Sequence, residues 1–261
     1  NELFVLDYKP HVKVYDLSGN YKRTLPVPIK VRDREMYPYS DSHLVLFKEV
    51  PDTEIGQADK DFAPYQPIIL LEKTTGETTT LPYTKTSNAS IRLSSGWVNN
   101  NAIYASGRNI YLSDVSSDTI YQLHPSGHTI EPKIVRTPSV NSMDGERFLL
   151  NLEGSSNRYG FFRRTNKEIK GKAAQSMQEW MYDYQTGKTF QPIFKNQDAP
   201  SMKLDAHTLI HCHGEDNCLY VKLEAFELIE ALENGELNGE LQTIAQELVE
   251  DDNPVLMVVK L

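Results

Sequence analysis

Apolar residues along this chain come in short runs broken by polar turns. The runs Leu3 to Leu6, Leu44 to Phe47, Ile110 to Leu112 and Phe161-Phe162 are each followed by a second β-rich run that ends at Ser or Thr before Gly. Those turns are Val14-Tyr15-Asp16-Leu17-Ser18-Gly19-Asn20, Leu71-Glu72-Lys73-Thr74-Thr75-Gly76-Glu77, Tyr121-Gln122-Leu123-His124-Pro125-Ser126-Gly127-His128 and Tyr182-Asp183-Tyr184-Gln185-Thr186-Gly187-Lys188. Glycine supplies the positive φ that such hairpins need. The four glycines are 57, 51 and 60 residues apart. A loose period of this size predicts four-stranded blades of a β-propeller with loops of variable length.

A fifth copy starts at Leu219-Tyr220-Val221 and lacks the Ser/Thr-Gly turn. The chain instead runs on to a last apolar strand, Val255 to Val259. About four and a half blades are therefore expected, the first without its beginning and the last short of one strand. Strand edges left open invite aggregation, so ring closure by the two ends, with sequence upstream of Asn1, is expected.

Between these strands the apolar period changes to a helical one. Ala225, Phe226, Leu228, Ile229 and Leu232 share one predicted face, and Leu241, Ile244, Ala245 and Leu248 another. Asn234-Gly235 and Asn238-Gly239 separate the two, and Asp251-Asp252-Asn253-Pro254 ends the second. The expected organisation is one all-β propeller domain over residues 1–261 with a helical insertion at about 225–249.

Charge is uneven. Ten acidic residues and no Lys or Arg lie between Glu224 and Asp252, which leaves 26 acids against all 27 bases elsewhere. A near-neutral body without a basic face argues against nucleic-acid binding. No apolar run approaches the roughly 20 residues of a membrane helix. Two cysteines, Cys212 and Cys218, cannot define a disulfide scaffold; one bridge across a hairpin and two buried thiols both fit.

The run Ser117-Asp118-Thr119-Ile120-Tyr121, followed by a turn and Ile130-Glu131-Pro132-Lys133, resembles the blade signature of the six-bladed β-propeller proteins abundant in Bacteroidetes. The ending Asp252-Asn253-Pro254-Val255-Leu256-Met257 and the opening Val14 to Gly19 resemble other parts of the same family. That resemblance implies six blades and an extracytoplasmic home, in the periplasm or at the outer-membrane surface; members of the family are often lipid-anchored, but this chain departs from them in lacking the N-terminal blades and lipobox region. The family carries no catalytic residues that transfer to this chain.

Candidate chemistry lies in two places. His211 and His213 are two apart, so in a strand both side chains face one way, as two metal ligands can. His207 would lie about 20 Å away along the strand and cannot join them. Trp97, beside Asn99 and Asn100, combines a flat apolar face with fixed amides, which suits a sugar or peptide. A basic stretch with Arg158, Arg163, Arg164, Lys167, Lys170 and Lys172 is read as a solvated insertion. Nucleophile-elbow, phosphate-loop, His-Glu-x-x-His and EF-hand motifs are absent.

The expectation is a binding or scaffold propeller outside the cytoplasm, with enzymatic activity left open. Its partner would be a glycan, a peptide or an envelope protein, and no cofactor is expected. The alternative is a metal-dependent hydrolase or lyase that uses His211 and His213 in a central channel.

Overall fold

The computed structural model describes residues 2–7, 11–27, 31–48, 64–85, 92–93, 96–97, 103–106, 109–114, 117–139, 148–166, 178–202, 209–211 and 218–260. Twenty strands and two short helices lie in these segments. The chain divides into two compact units. One holds residues 1–105, 109–147 and 167–170, and the other holds 106–108, 148–166 and 171–261.

In the first unit, β1 (Leu3–Leu6), β2 (His11–Tyr15) and β3 (Tyr21–Pro26) form a three-stranded sheet in chain order. A four-stranded sheet follows from β4 (Val31–Pro38), β5 (His43–Lys48), β6 (Ile68–Glu72) and β7 (Thr78–Thr80). The short strands β8 (Arg92–Leu93) and β9 (Gly96–Trp97) pair with each other. A second four-stranded sheet comprises β10 (Ile103–Ser106), β11 (Asn109–Leu112), β12 (Thr119–His124) and β13 (Thr129–Val135).

The middle sheet shows why some runs are wholly apolar. On β5, Leu44 and Leu46 pack with Val12, Val14 and Leu25 of the preceding sheet. Their neighbours Val45 and Phe47 point the other way, onto Ile103, Ile110, Leu112 and Leu123 of the following sheet. Strand β6 repeats the division, with Ile69 and Leu71 on the first side and Ile68 and Leu70 on the second. Successive side chains alternate between faces. A strand covered on both faces therefore reads as an unbroken apolar run. Meander sheets stacked face to face in chain order are the blades of an all-β propeller fold.

The second unit repeats the blade. Its four-stranded sheet comprises β14 (Phe148–Ser155), β15 (Tyr159–Asn166), β16 (Gln178–Asp183) and β17 (Lys188–Phe190). The last sheet has β18 (Leu209–His211), β19 (Cys218–Leu223) and β20 (Val255–Lys260). Phe161 and Met181 pack in one core with Val221 and Leu223. The helices α1 (Ala225–Glu233) and α2 (Gly239–Ala245) complete that core between β19 and β20. No helix among the described residues is long and apolar enough to cross a membrane.

Each of the four Ser/Thr-Gly turns closes the last hairpin of its sheet, and Gly19, Gly76, Gly127 and Gly187 all have positive φ. Three of the turns also have a carboxylate at their start. The Asp16 carboxylate accepts the Ser18 and Asn20 N–H groups, Glu72 accepts those of Thr74 and Thr75, and Asp183 accepts those of Gln185 and Thr186. The acid thus satisfies donors that the reversing backbone exposes.

One helical face differs from expectation. α1 buries Ala225 and Leu228 as expected, but Phe226 is 51% exposed and Ala231 is buried with them. Two alanines on the inward face let the helix lie close to the core, a face that Phe226 would hold away.

Candidate functional site

The sequence-predicted residues fall in separate places. Trp97 lies in β9 opposite Arg92, in the first unit. His211 lies in β18 opposite Leu219, in the second. Asn99, Asn100, His213 and Cys212 lie outside the described residues, as do Lys167, Lys170 and Lys172. Among the described residues, no group of three or more His, Cys, Asp or Glu is placed to hold a metal ion. Both arginines at the end of β15 are engaged. Arg163 donates through Nε to Glu153 at 2.9 Å, and the Arg164 guanidinium lies 4.2 Å from the Phe148 ring centroid.

An accessible cluster of a different kind forms where the β4–β5 turn meets the β12–β13 turn. Both turns lie within the first unit. The His128 ring stacks on Tyr39 with centroids 5.7 Å apart and planes 18° apart. His43 meets His128 edge to face at 5.5 Å. Tyr39 is buried, His43 half-buried and His128 exposed, so the layers run from the core outward.

Each layer is fixed by its neighbours. The Tyr39 hydroxyl donates to the His124 carbonyl at 2.8 Å, tying the two turns together. Burial pushes that phenol up to about 12, so it stays a neutral donor. The His43 Nδ1 lies 2.8 Å from the Ser42 hydroxyl, and the His43 N–H donates to Ser40 Oγ at 3.0 Å. Lys73 closes the turn by donating to the Ser40 and Asp41 carbonyls at 2.5 and 3.2 Å. On β12, His124 Nε2 lies 3.4 Å from the exposed Glu131 carboxylate.

His128 also has an unusual backbone. Its φ of 51° is the one positive value at a non-glycine residue among those described. A side chain in this region costs on the order of 1 kcal/mol. Stacking on Tyr39 and His43 offsets it, since aromatic pairs contribute about 0.5–1.5 kcal/mol beyond their area. The result is an exposed imidazole on a rigid aromatic base, rimmed by the Ser40 and Ser42 hydroxyls.

The opposite end of the same two sheets, where β7 ends and β11 turns into β12, holds a closed polar cluster. Lys85 donates to Asp114 Oδ2 at 2.6 Å, with side chains 7% and 3% exposed. Tyr83 packs edge to face on Tyr121 at 5.5 Å. Burial first, and then the Asp114 charge, raise the Tyr83 hydroxyl well above the usual phenol range. A buried ion pair with tyrosines around it fixes a loop end but offers a ligand no surface. The histidine cluster is therefore the better candidate.

Sequence reading missed this cluster because its parts come from different blades. The one local signal is Gly127-His128, an aromatic placed directly after the turn glycine.

No protein-family model matches the chain, and no curated protein matches it. Solved structures do. A candidate exported protein of Bacteroides fragilis superposes over 99% of this chain and 76% of its own, with a TM-score of 0.58 and 16% identity. TolB of Acinetobacter baumannii matches over 82% of this chain and 44% of its own, with a TM-score of 0.40 and 11% identity. The tricorn protease matches over 82% of this chain and 17% of its own, with a TM-score of 0.36 and 13% identity. At such identities the first likeness is one of fold, and the chain is similar in architecture to that Bacteroides protein.

Proposed function

We propose that this chain is a binding propeller whose ligand is a glycan held on the His128 shelf. The observation behind this reading is the exposed His128 ring, stacked on Tyr39 at a positive φ. A pyranose presents a face of C–H groups that packs on a flat ring, while its hydroxyls need fixed polar partners at the rim. Ser40, Ser42 and His43, joined by hydrogen bonds beside the ring, are such partners. Strained residues cluster at ligand sites, where surrounding packing holds them in place.

The intact protein would be a single six-bladed propeller at the cell exterior, in the periplasm or on the outer membrane. That placement rests on the sequence resemblance and on the fold shared with a candidate exported protein. Trp97, Asn99, Asn100, His211 and His213 stand as further proposed contacts.

The test is a glycan array probed with the full chain and with His128→Ala, beside a panel of short peptides. Retention of a defined oligosaccharide by the parent, lost at least about tenfold in the variant, supports the reading; each tenfold is about 1.4 kcal/mol. Selective capture of peptides would replace the glycan with the runner-up ligand. Equal glycan retention by both proteins would remove His128 from the site.

A further inference from the structure

The helical insertion contains the same tripeptide twice: Asn234-Gly235-Glu236 and Asn238-Gly239-Glu240. An asparagine before glycine can modify itself, because the glycine nitrogen has no neighbouring side chain to shield it. The nitrogen attacks the asparagine Cγ, forming an N–C bond and a five-membered imide. The Cγ–Nδ2 bond breaks, and ammonia leaves with the proton from the attacking nitrogen. Water then opens the imide at either carbonyl, giving aspartate or isoaspartate.

The fold treats the two copies differently. Asn234 caps the end of α1 in helical conformation, with φ −77° and ψ −5°. Its own N–H donates to the Glu230 carbonyl at 3.0 Å, and Gly235, at φ 70°, donates to the Leu232 carbonyl at 3.0 Å. Glu236 closes the same end by donating to Ala231 at 2.9 Å. The attacking nitrogen is thus engaged as part of a helix C-cap.

Asn238 precedes α2 in extended conformation, with φ −134° and ψ 172°. Its exposed side chain makes no cap hydrogen bond. Gly239 is the first residue of α2, where the N–H has no partner within the helix. It has none among the described residues either. The Asp198 carboxylate packs against Gly239, with Oδ1 2.7 Å from where a Cβ would stand, but neither the Gly239 nitrogen nor the Asn238 side chain is tied into a cap as at Asn234.

We propose that Asn238 is a site of spontaneous deamidation and that Asn234 is protected from it by the fold. The product adds a carboxylate to a segment that already carries ten acids. It forms where the Asn238 N–H donates to the Asp198 carbonyl at 2.7 Å. Isoaspartate would also lengthen the backbone at this contact and loosen the docking of α2.

The experiment is timed incubation of the full folded chain at mildly alkaline pH, followed by cleavage after Glu233, Glu236 and Glu240. These cuts put the two asparagines on separate peptides for mass spectrometry. Conversion at Asn238 should exceed that at Asn234 by roughly tenfold, or about 1.4 kcal/mol in barrier, since attack at Asn234 must first release a hydrogen bond and a helix end. In denaturant the two rates should converge. Asn238→Ser, which keeps a capping residue, should abolish most of the charge change seen on ageing. Equal rates in the folded chain, faster conversion at Asn234, or the same disparity in denaturant would overturn the proposal.

Discussion

The Tyr39 hydroxyl donates to the carbonyl of His124, so a buried ring of one blade holds the turn that presents His128 on the next. Stability and ligand binding should therefore separate at position 128. Replacing His128 by Gly removes the strain of a positive φ, a gain of up to about 1 kcal/mol. It also removes a stack of about 0.5–1.5 kcal/mol. His128→Gly should change the unfolding free energy in urea by no more than about 1 kcal/mol and yet lose the ligand.

The buried pair at the other end of these sheets should behave in the opposite way. Lys85→Met or Asp114→Leu alone breaks a buried ion pair by removing one charge, a loss of about 3–5 kcal/mol. The double replacement should recover most of that loss, because neither charge then remains buried. The exposed pair of Lys13 and Asp7, 40% and 31% accessible, is the control. Breaking it should cost less than about 1 kcal/mol. Equilibrium unfolding of the four variants measures the pattern.

Strand β5 should be intolerant on both faces. Leu46 is 0% and Phe47 1% exposed, and they belong to different cores. Leu46→Ala should cost about 2–5 kcal/mol and Phe47→Ala about 3–5 kcal/mol. A β5 packed on one face only would show one large loss and one negligible loss.

Acid should act on the turn that starts at Glu72. The Thr75 N–H, and then the Thr74 hydroxyl, hold its carboxyl at about 2, against 4.5 for the free group. A carboxylate lowered on folding contributes its stability fully above the unfolded value. That contribution is lost as pH falls from about 4.5 toward 2. Glu72→Gln should flatten the fall of stability across this window and leave the slope near neutral pH unchanged. Thermal melts at stepped pH values would show the difference.

Much of the fold was legible because blade hairpins obey local rules. Gly19, Gly76, Gly127 and Gly187 mark the last hairpin of four sheets by a conformation that other residues rarely adopt. The helical insertion was legible from its change of period. Its orientation was not, since Phe226 and Leu228 compete for one face, and the core decides by shape rather than by hydrophobicity alone. The candidate site was nearly invisible. His43 and His128 meet only because consecutive blades stack, and only His128, directly after the turn glycine, stands in a repeated motif. His211 and Trp97 stand out by spacing and by their sequence neighbours, which carry no information about what faces them from another strand.

The most direct test of the binding shelf is an NMR titration of the full chain with labelled histidine, using the oligosaccharide selected by the array. The ring signals of His43 and His128 should shift together and saturate at one common dissociation constant, with no such shift of His43 in His128→Ala. A ligand that binds the chain while leaving both rings unmoved would contradict the account.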